Sequence, residues 1–282
     1  MRVSQDPTRE GPITSGILTG LALALIALIL VLPVTAVFVE AFRQGFQVYL
    51  ESLREPDALS AIKLTLLVTA IVVPLNTVFG IAVAWAVTKF EFWGKTALIT
   101  LVDLPFSISP VISGLVYVLV FGINGWLGPT LDAWNVQIIF TVTGIALATL
   151  FVTLPFVARQ LIPLMQAQGT DEESAAATLG ASGWRTFFLV TLPNIKWALM
   201  YGVLLCTARA MGEFGAVAVV SGHIRGLTNT MPLHVEVLYN EYSFVASFAV
   251  ASLLALFALV TLAVKTILET QFAGDLGAQR HR

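Results

Sequence analysis

An all-α integral membrane protein, with six transmembrane helices and one short cytoplasmic helix between two of them, is the fold class this sequence predicts. Three observations carry it. Charged residues are only 11% of the 282 residues, against 57% hydrophobic, where a soluble domain carries about 25% charged residues. The apolar residues gather into six runs long enough, as helices, to cross a hydrocarbon layer of about 30 Å. The longest polar connection, 158–196, separates two of those runs and holds a pattern of its own.

The same composition excludes other classes. A net charge of −2 with no basic run argues against a nucleic-acid partner. The single cysteine, Cys206, rules out an internal disulfide and any CxxC motif and reads as a small buried side chain. Three scattered histidines, His223, His234 and His281, have no metal-ligand spacing.

Taken in order, residues 1–12 are polar and form a cytoplasmic N-terminal tail. Residues 11–39 are uncharged, too long for a secretory signal core, and give an uncleaved first span at 13–39. The polar connection 40–60 places Phe46, Val48, Tyr49, Leu50 and Leu53 as the apolar side of a helix lying at the membrane surface. The second span is 61–87. The third, 96–121, contains Pro105 and Pro110, which imply a kinked or broken helix. Asp103 ahead of Pro105 reads as a cap for the resumed helix. Trp126 and Trp134 in the next loop suit a membrane interface. The fourth span is 138–156, the fifth 197–220 and the sixth 243–264, followed by a cytoplasmic C-terminal tail, 267–282. The six-span domain is thus 13–266.

Lysine and arginine accumulate on the cytoplasmic side of membrane proteins. With both termini inside, the inner segments hold Arg2, Arg9, Lys89, Lys95, Arg159, Arg185, Lys196, Lys265, Arg280 and Arg282. The outer ones hold Arg43, Arg54, Lys63 and Arg225. This orientation places 158–196 in the cytoplasm. Within it, Asp171, Glu172 and Glu173 suit a helix N-terminus, Ala175, Ala176 and Ala177 favour helix, and Gly180 is a stop. A second helical run from Trp184 leads to Leu192-Pro193, where a new helix is expected to begin.

Arg209 and Glu213 are an ionisable pair well inside an apolar run, four residues apart on one helix face. Such charges mark a substrate path or a structural lock, and both readings stand. Met211, Gly212 and Phe214 lie beside them, and Gly212 and Gly215 read as a close-packing surface. No GxxxxGK[ST] nucleotide loop, GxSxG or Ser-His-Asp arrangement occurs. The outer-loop residues His223, Arg225, His234 and Glu236 read as a solvated face or docking surface. The chain is expected not to be an enzyme, to bind no cofactor and to hold no metal.

The stretch 171–193 resembles the EAA loop of bacterial ABC-importer permeases: EAA, three residues, Gly, nine residues, Ile, one residue, Leu-Pro. Ala175, Ala176, Gly180, Leu192 and Pro193 fall on that pattern, Val190 replaces the isoleucine, and Ser174 stands at the glutamate with Glu173 one residue early. Residues 207–242, with SGHIRG and PLHVEVLYNEY, are similar to the CysW-type permeases of bacterial sulfate/thiosulfate importers, as are 171–195 and FAVASLLAL in the last run. The resemblance implies a type I ABC-importer permease fold in the bacterial inner membrane. It implies that Glu173, Ser174, Ala175, Ala176, Gly180, Leu192 and Pro193 form a coupling helix and its flank against a separate ATPase. Partners would be two CysA-type ATPase subunits carrying ATP and Mg, a CysT/CysU-type permease subunit, and a periplasmic sulfate- or thiosulfate-binding protein. Arg209, Met211, Gly212, Glu213 and Phe214 would belong to a translocation path or gate. The alternatives are a molybdate/tungstate permease and, from another class, an ion-coupled secondary transporter.

Overall fold

A computed structural model describes residues 12–279 of the chain, with side chains described for 14–268. Most of the expected N-terminal tail, with Arg2 and Arg9, lies outside the described residues, as do Arg280, His281 and Arg282. Every regular element among the described residues is helical. Among the described residues, five helices are long and apolar enough to cross a membrane: 14–41, 56–89, 142–168, 183–211 and 244–268. A sixth crossing is available only as a bent pair, α5 (Lys95–Ser107) and α6 (Pro110–Phe121), which meet at 109°. Pro105 is accommodated inside α5, and the chain turns where Ile108 and Ser109 become extended just ahead of Pro110. The residue before a proline is biased away from the helical region, so the break falls where the sequence dictates.

Helices continue past the apolar runs that announce them. The first crossing is α1 (Pro12–Ile26) and α2 (Leu32–Ala41), joined through a wider π-helical turn at Ala27–Val31. The fourth joins α8 (Val142–Thr153) to α9 (Pro155–Gln168). The surface helix α3 (Phe46–Arg54) turns Tyr49, Ser52 and Leu53 inward, and its Tyr49 hydroxyl lies 3.3 Å from Ser252 Oγ.

The core is a bundle in which α4 (Pro56–Lys89) packs against α8 and α9, and α9 against α12 (Leu192–Met211). Small residues set the spacing: a Cβ on Gly80 would stand 2.7 Å from Val157 Cβ, and one on Gly114 would stand 2.8 Å from the Ala216 carbonyl. Without a hydrophobic drive between helices in lipid, such close contact and polar cross-links supply the association. Asn76 is one of them. Wholly buried, it donates to Thr153 Oγ1 at 2.7 Å and to the Leu150 carbonyl at 3.3 Å, and touches Cys206 Sγ at 3.8 Å, joining α4, α8 and α12. Outward-facing leucines, isoleucines and valines are lipid-solvated in this setting, where in water they would be a liability.

Two local readings are corrected. Asp103 does not cap a helix; it sits inside α5 and pairs with Arg159 of α9, Nε to Oδ1, at 2.8 Å. The Arg159 guanidinium also lies 4.5 Å from the Phe106 ring centre. Pro193 does not begin a new helix. α11 (Gly183–Thr186) runs through a π-helical turn at Phe187–Thr191 directly into α12, with Pro193 in its first turn.

Candidate functional site

Two places gather polar groups in an otherwise apolar bundle: the loop between α9 and α12, and the break after α12. In the loop, α10 (Asp171–Thr178) carries all three acids of its first turn, complementing the helix dipole. Gly180 ends it with φ +84°; its N–H donates to the Ala177 carbonyl and that of Ala181 to the Ala176 carbonyl, both at 3.0 Å. This paired closure needs a left-handed residue, which glycine provides without strain.

α10 has no fully buried residue. What holds it is polar. Glu173 Oε1 lies 2.7 Å from Lys89 Nζ, at the last residue of α4, and accepts a hydrogen bond from Thr191 Oγ1 at 3.2 Å. Asn194 Nδ2 donates to Glu172 Oε2, and Lys89 Nζ also donates to the Gly169 carbonyl ahead of α10. The Lys89 side chain is only 8% exposed. Of the residues expected to form the coupling surface, Glu173 and Ala176 are thus half-buried, while Ser174 and Ala175 face outward with Thr178 and Leu179. Leu192 is half-buried and Pro193 exposed. Trp184 stands exposed beside them, edge-on to Phe187, whose ring packs 5.0 Å from Trp85 of α4. Lys89, Thr191 and Asn194 were not singled out by sequence reasoning. The lysine was visible only as a charge ending an apolar run.

At the second place, α12 stops at Met211 and the chain passes Gly212, Glu213 and Phe214 before α13 (Gly215–Ser221). Arg209 and Glu213 therefore do not share one continuous helix as expected; the carboxylate lies in the break. Its Oε2 is 2.6 Å from Arg209 Nη1, a charge contact outside hydrogen-bond alignment, and its Oε1 accepts from the Ala216 N–H at 2.9 Å. Glu213 is 2% exposed, whereas the Arg209 side chain is 32% exposed. Met211 is buried; Gly212 and Phe214 are exposed. A depression of about 290 Å³ beside them is lined by Ala208, Met211, Gly212, Leu254, Phe257 and Thr261. Gly215 does serve close packing, its would-be Cβ lying 3.1 Å from Pro110 Cβ, but a Cβ on Gly212 would meet only the Ala208 carbonyl oxygen of the preceding turn, at an ordinary 3.6 Å. A larger cavity, about 680 Å³, lies elsewhere, between the end of α6, the short helix α7 (Gly128–Ala133) and the loop after it carrying Asn135 and Gln137.

The loop after α13 is not a uniformly solvated face. Arg225 pairs with Glu241, but His234 on α14 (Met231–Asn240) is 1% exposed, with Nδ1 3.3 Å from Asn229 Nδ2. Burial pushes the His234 imidazole below its ordinary range. Among the described residues no group of three His, Cys, Asp or Glu is placed to hold a metal ion.

Residues 76–273 match the family described as "Binding-protein-dependent transport system inner membrane component". The chain is 52% identical over 253 residues to the "Sulfate transport system permease protein CysW" of Synechocystis sp., covering 90% of this chain and 92% of that protein. It is 52% identical over 252 residues to the Escherichia coli K12 protein of the same description, covering 89% and 87%. Against the E. coli K12 "Sulfate transport system permease protein CysT" the identity is 35% over 253 residues, covering 90% and 91%. In fold it is similar to a chain of a bacterial ABC transporter involved in the import of alginate, with a TM-score of 0.73, 16% identity and coverage of 92% and 94%.

Proposed function

The chain belongs to the family of binding-protein-dependent transport system inner membrane components, and from that premise we propose that it is the CysW-type permease subunit of an ATP-driven sulfate/thiosulfate importer. One observation carries the assignment: identity to CysW proteins, 52%, is far above identity to CysT, 35%, over nearly the same length. The chain therefore takes the CysW place in a pair, and a CysT-type subunit supplies the other half of the pathway. A periplasmic binding protein delivers the anion, and both termini lie in the cytoplasm, as the ten-to-four lysine and arginine count favours.

The sequence holds no GxxxxGK[ST] nucleotide loop. Energy enters from two CysA-type ATPase subunits, where ATP and Mg are bound. The outward face of α10, with Ser174, Ala175, Thr178 and Leu179, and the exposed Trp184 are the docking surface for that ATPase. Because α12 starts at this loop and carries Arg209 in its last turn, movement of the loop reaches the break as rigid-body motion of one helix, about 26 Å from Leu192 to Arg209. Arg209, positioned by Glu213 and partly exposed, attracts the divalent anion, while Gly212 and Phe214 let the break flex as a gate.

The test is capture of the tagged chain in mild detergent, with mass spectrometry of what stays bound, joined to sulfate uptake in cells lacking their own permease. Recovery of an ATPase and a second six-span permease, with uptake competed by thiosulfate, is expected. Recovery of the chain alone with ATP-independent uptake would overturn the proposal, and stronger competition by molybdate would move the substrate.

A further inference from the structure

We propose that Lys89 and Glu173 form the strut that makes α10 and the bundle one moving body, with Glu173 a positioning residue and not a contact to the ATPase. The inference rests on the proposed function and deepens it. An eight-residue helix is too short to be stable alone, and α10 buries no side chain that would hold it by apolar packing. Its position relative to the spans depends on polar ties.

Those ties converge on one buried ammonium group. Lys89 Nζ binds the Gly169 carbonyl, ahead of α10, and Glu173 Oε1, in its first turn, so it clamps the start of the helix to the end of α4. The same carboxylate oxygen takes the Thr191 hydroxyl, and Glu172 takes Asn194, which tie α10 to the start of α12. Glu173 thus bridges α4 and α12, two neighbours in the bundle core. With the Lys89 side chain 8% and the Glu173 side chain 21% exposed, the pair is shielded from salt more than a surface pair would be. Ser174, which stands where the family pattern has glutamate, points outward instead. The shift of the acid by one residue, about 100° around a helix, turns it from the docking face to the bundle.

Severing the strut leaves the ATPase a helix to bind but lets that helix yield before the spans do. ATP hydrolysis then continues while transport falls. The experiment is the whole importer, with its ATPase, partner permease and binding protein, in proteoliposomes, reading sulfate imported per ATP hydrolysed. Lys89→Met and Glu173→Gln are each expected to lower that ratio about tenfold, within the usual 5–150-fold span of a coupling between sites. The exchanged pair Lys89→Glu with Glu173→Lys is expected to recover at least half of it. Single variants within twofold of the unaltered importer, or an exchanged pair no better than the singles, would overturn the proposal. Should the charge variants fail to assemble, Thr191→Val decides: it removes one hydrogen bond, and an unchanged ratio counts against the strut. If the unaltered importer moves no sulfate, the functional reading itself fails, and this inference with it.

Discussion

Arg209 and Glu213 meet across the end of a helix: the carboxylate holds the guanidinium at 2.6 Å with one oxygen and caps the next helix at Ala216 with the other. The two partners are unequally placed, the acid 2% exposed and the arginine side chain 32%. Removing the arginine strands a buried carboxylate, a loss of about 3–5 kcal/mol when a buried pair is broken. Glu213→Gln keeps an acceptor for Ala216 and frees a cation that reaches the surface, costing about 1–3 kcal/mol. Arg209→Met is therefore expected to lower the melting temperature of the detergent-solubilised protein more than Glu213→Gln. The opposite ranking would show that the glutamate is not the constrained partner.

Gly180 permits a prediction from backbone geometry alone. At φ +84°, with open space where a Cβ would lie, a side chain meets strain and not a clash. The left-handed conformation costs an L-residue about 1–2 kcal/mol, and a β-branched one more. Gly180→Val is expected to abolish sulfate uptake at unchanged membrane abundance, and Gly180→Asn, which tolerates this region, to keep a large part of it. Equal uptake by both variants would remove the Schellman closure of α10 from the argument.

At Gly80 the reasoning reverses, because the backbone is ordinary and the space is not. A Cβ there would stand 2.7 Å from Val157 Cβ and 3.0 Å from the Ala158 nitrogen. α4 and α9 must separate to accept it, at the roughly 1–3 kcal/mol typical of overpacking. Gly80→Ala is expected to lower thermal stability in detergent measurably, while Gly20→Ala, with nothing within 4 Å, leaves it unchanged. A Gly80→Ala melting curve superimposed on the original would mean the crossing is looser than its geometry.

What could be read from the residues alone was what depends on near neighbours. The apolar runs, the proline break of the third crossing and the acid–alanine–glycine order of α10 are all local, and each has a local physical cause. The pairings that settle side-chain roles are not. Lys89 and Glu173 are 84 positions apart and Asp103 and Arg159 56 apart, and nothing near Asp103 in the chain announces the arginine of α9 that claims it. The stop after Met211 was hidden for another reason. Hydropathy stays high from α12 into α13, and only Gly212 and Gly215 hint that an apolar run is two helices.

His234 carries a prediction about acidity. Burial is the largest influence on its imidazole and lowers its pKa, opposed by the nearby charges of Asp57 and Glu55; Arg225 lowers it further and Glu241 raises it. As pH falls, the unfolded chain protonates this histidine near 6.5, the ordinary value of an exposed imidazole, before the folded chain does. Above that pH both states are neutral there, and the residue itself adds no pH dependence to stability. As pH falls below it, the unfolded state gains a proton that the folded state refuses, so stability declines until the lower folded-state pKa is reached. The melting temperature is therefore expected to fall between pH 7 and pH 5, and less steeply in His234→Gln, which does not titrate. His223, exposed on the neighbouring loop, serves as the control, since His223→Gln leaves the buried imidazole in place. If His234→Gln keeps the full slope and His223→Gln loses it, the buried histidine is not the group that titrates.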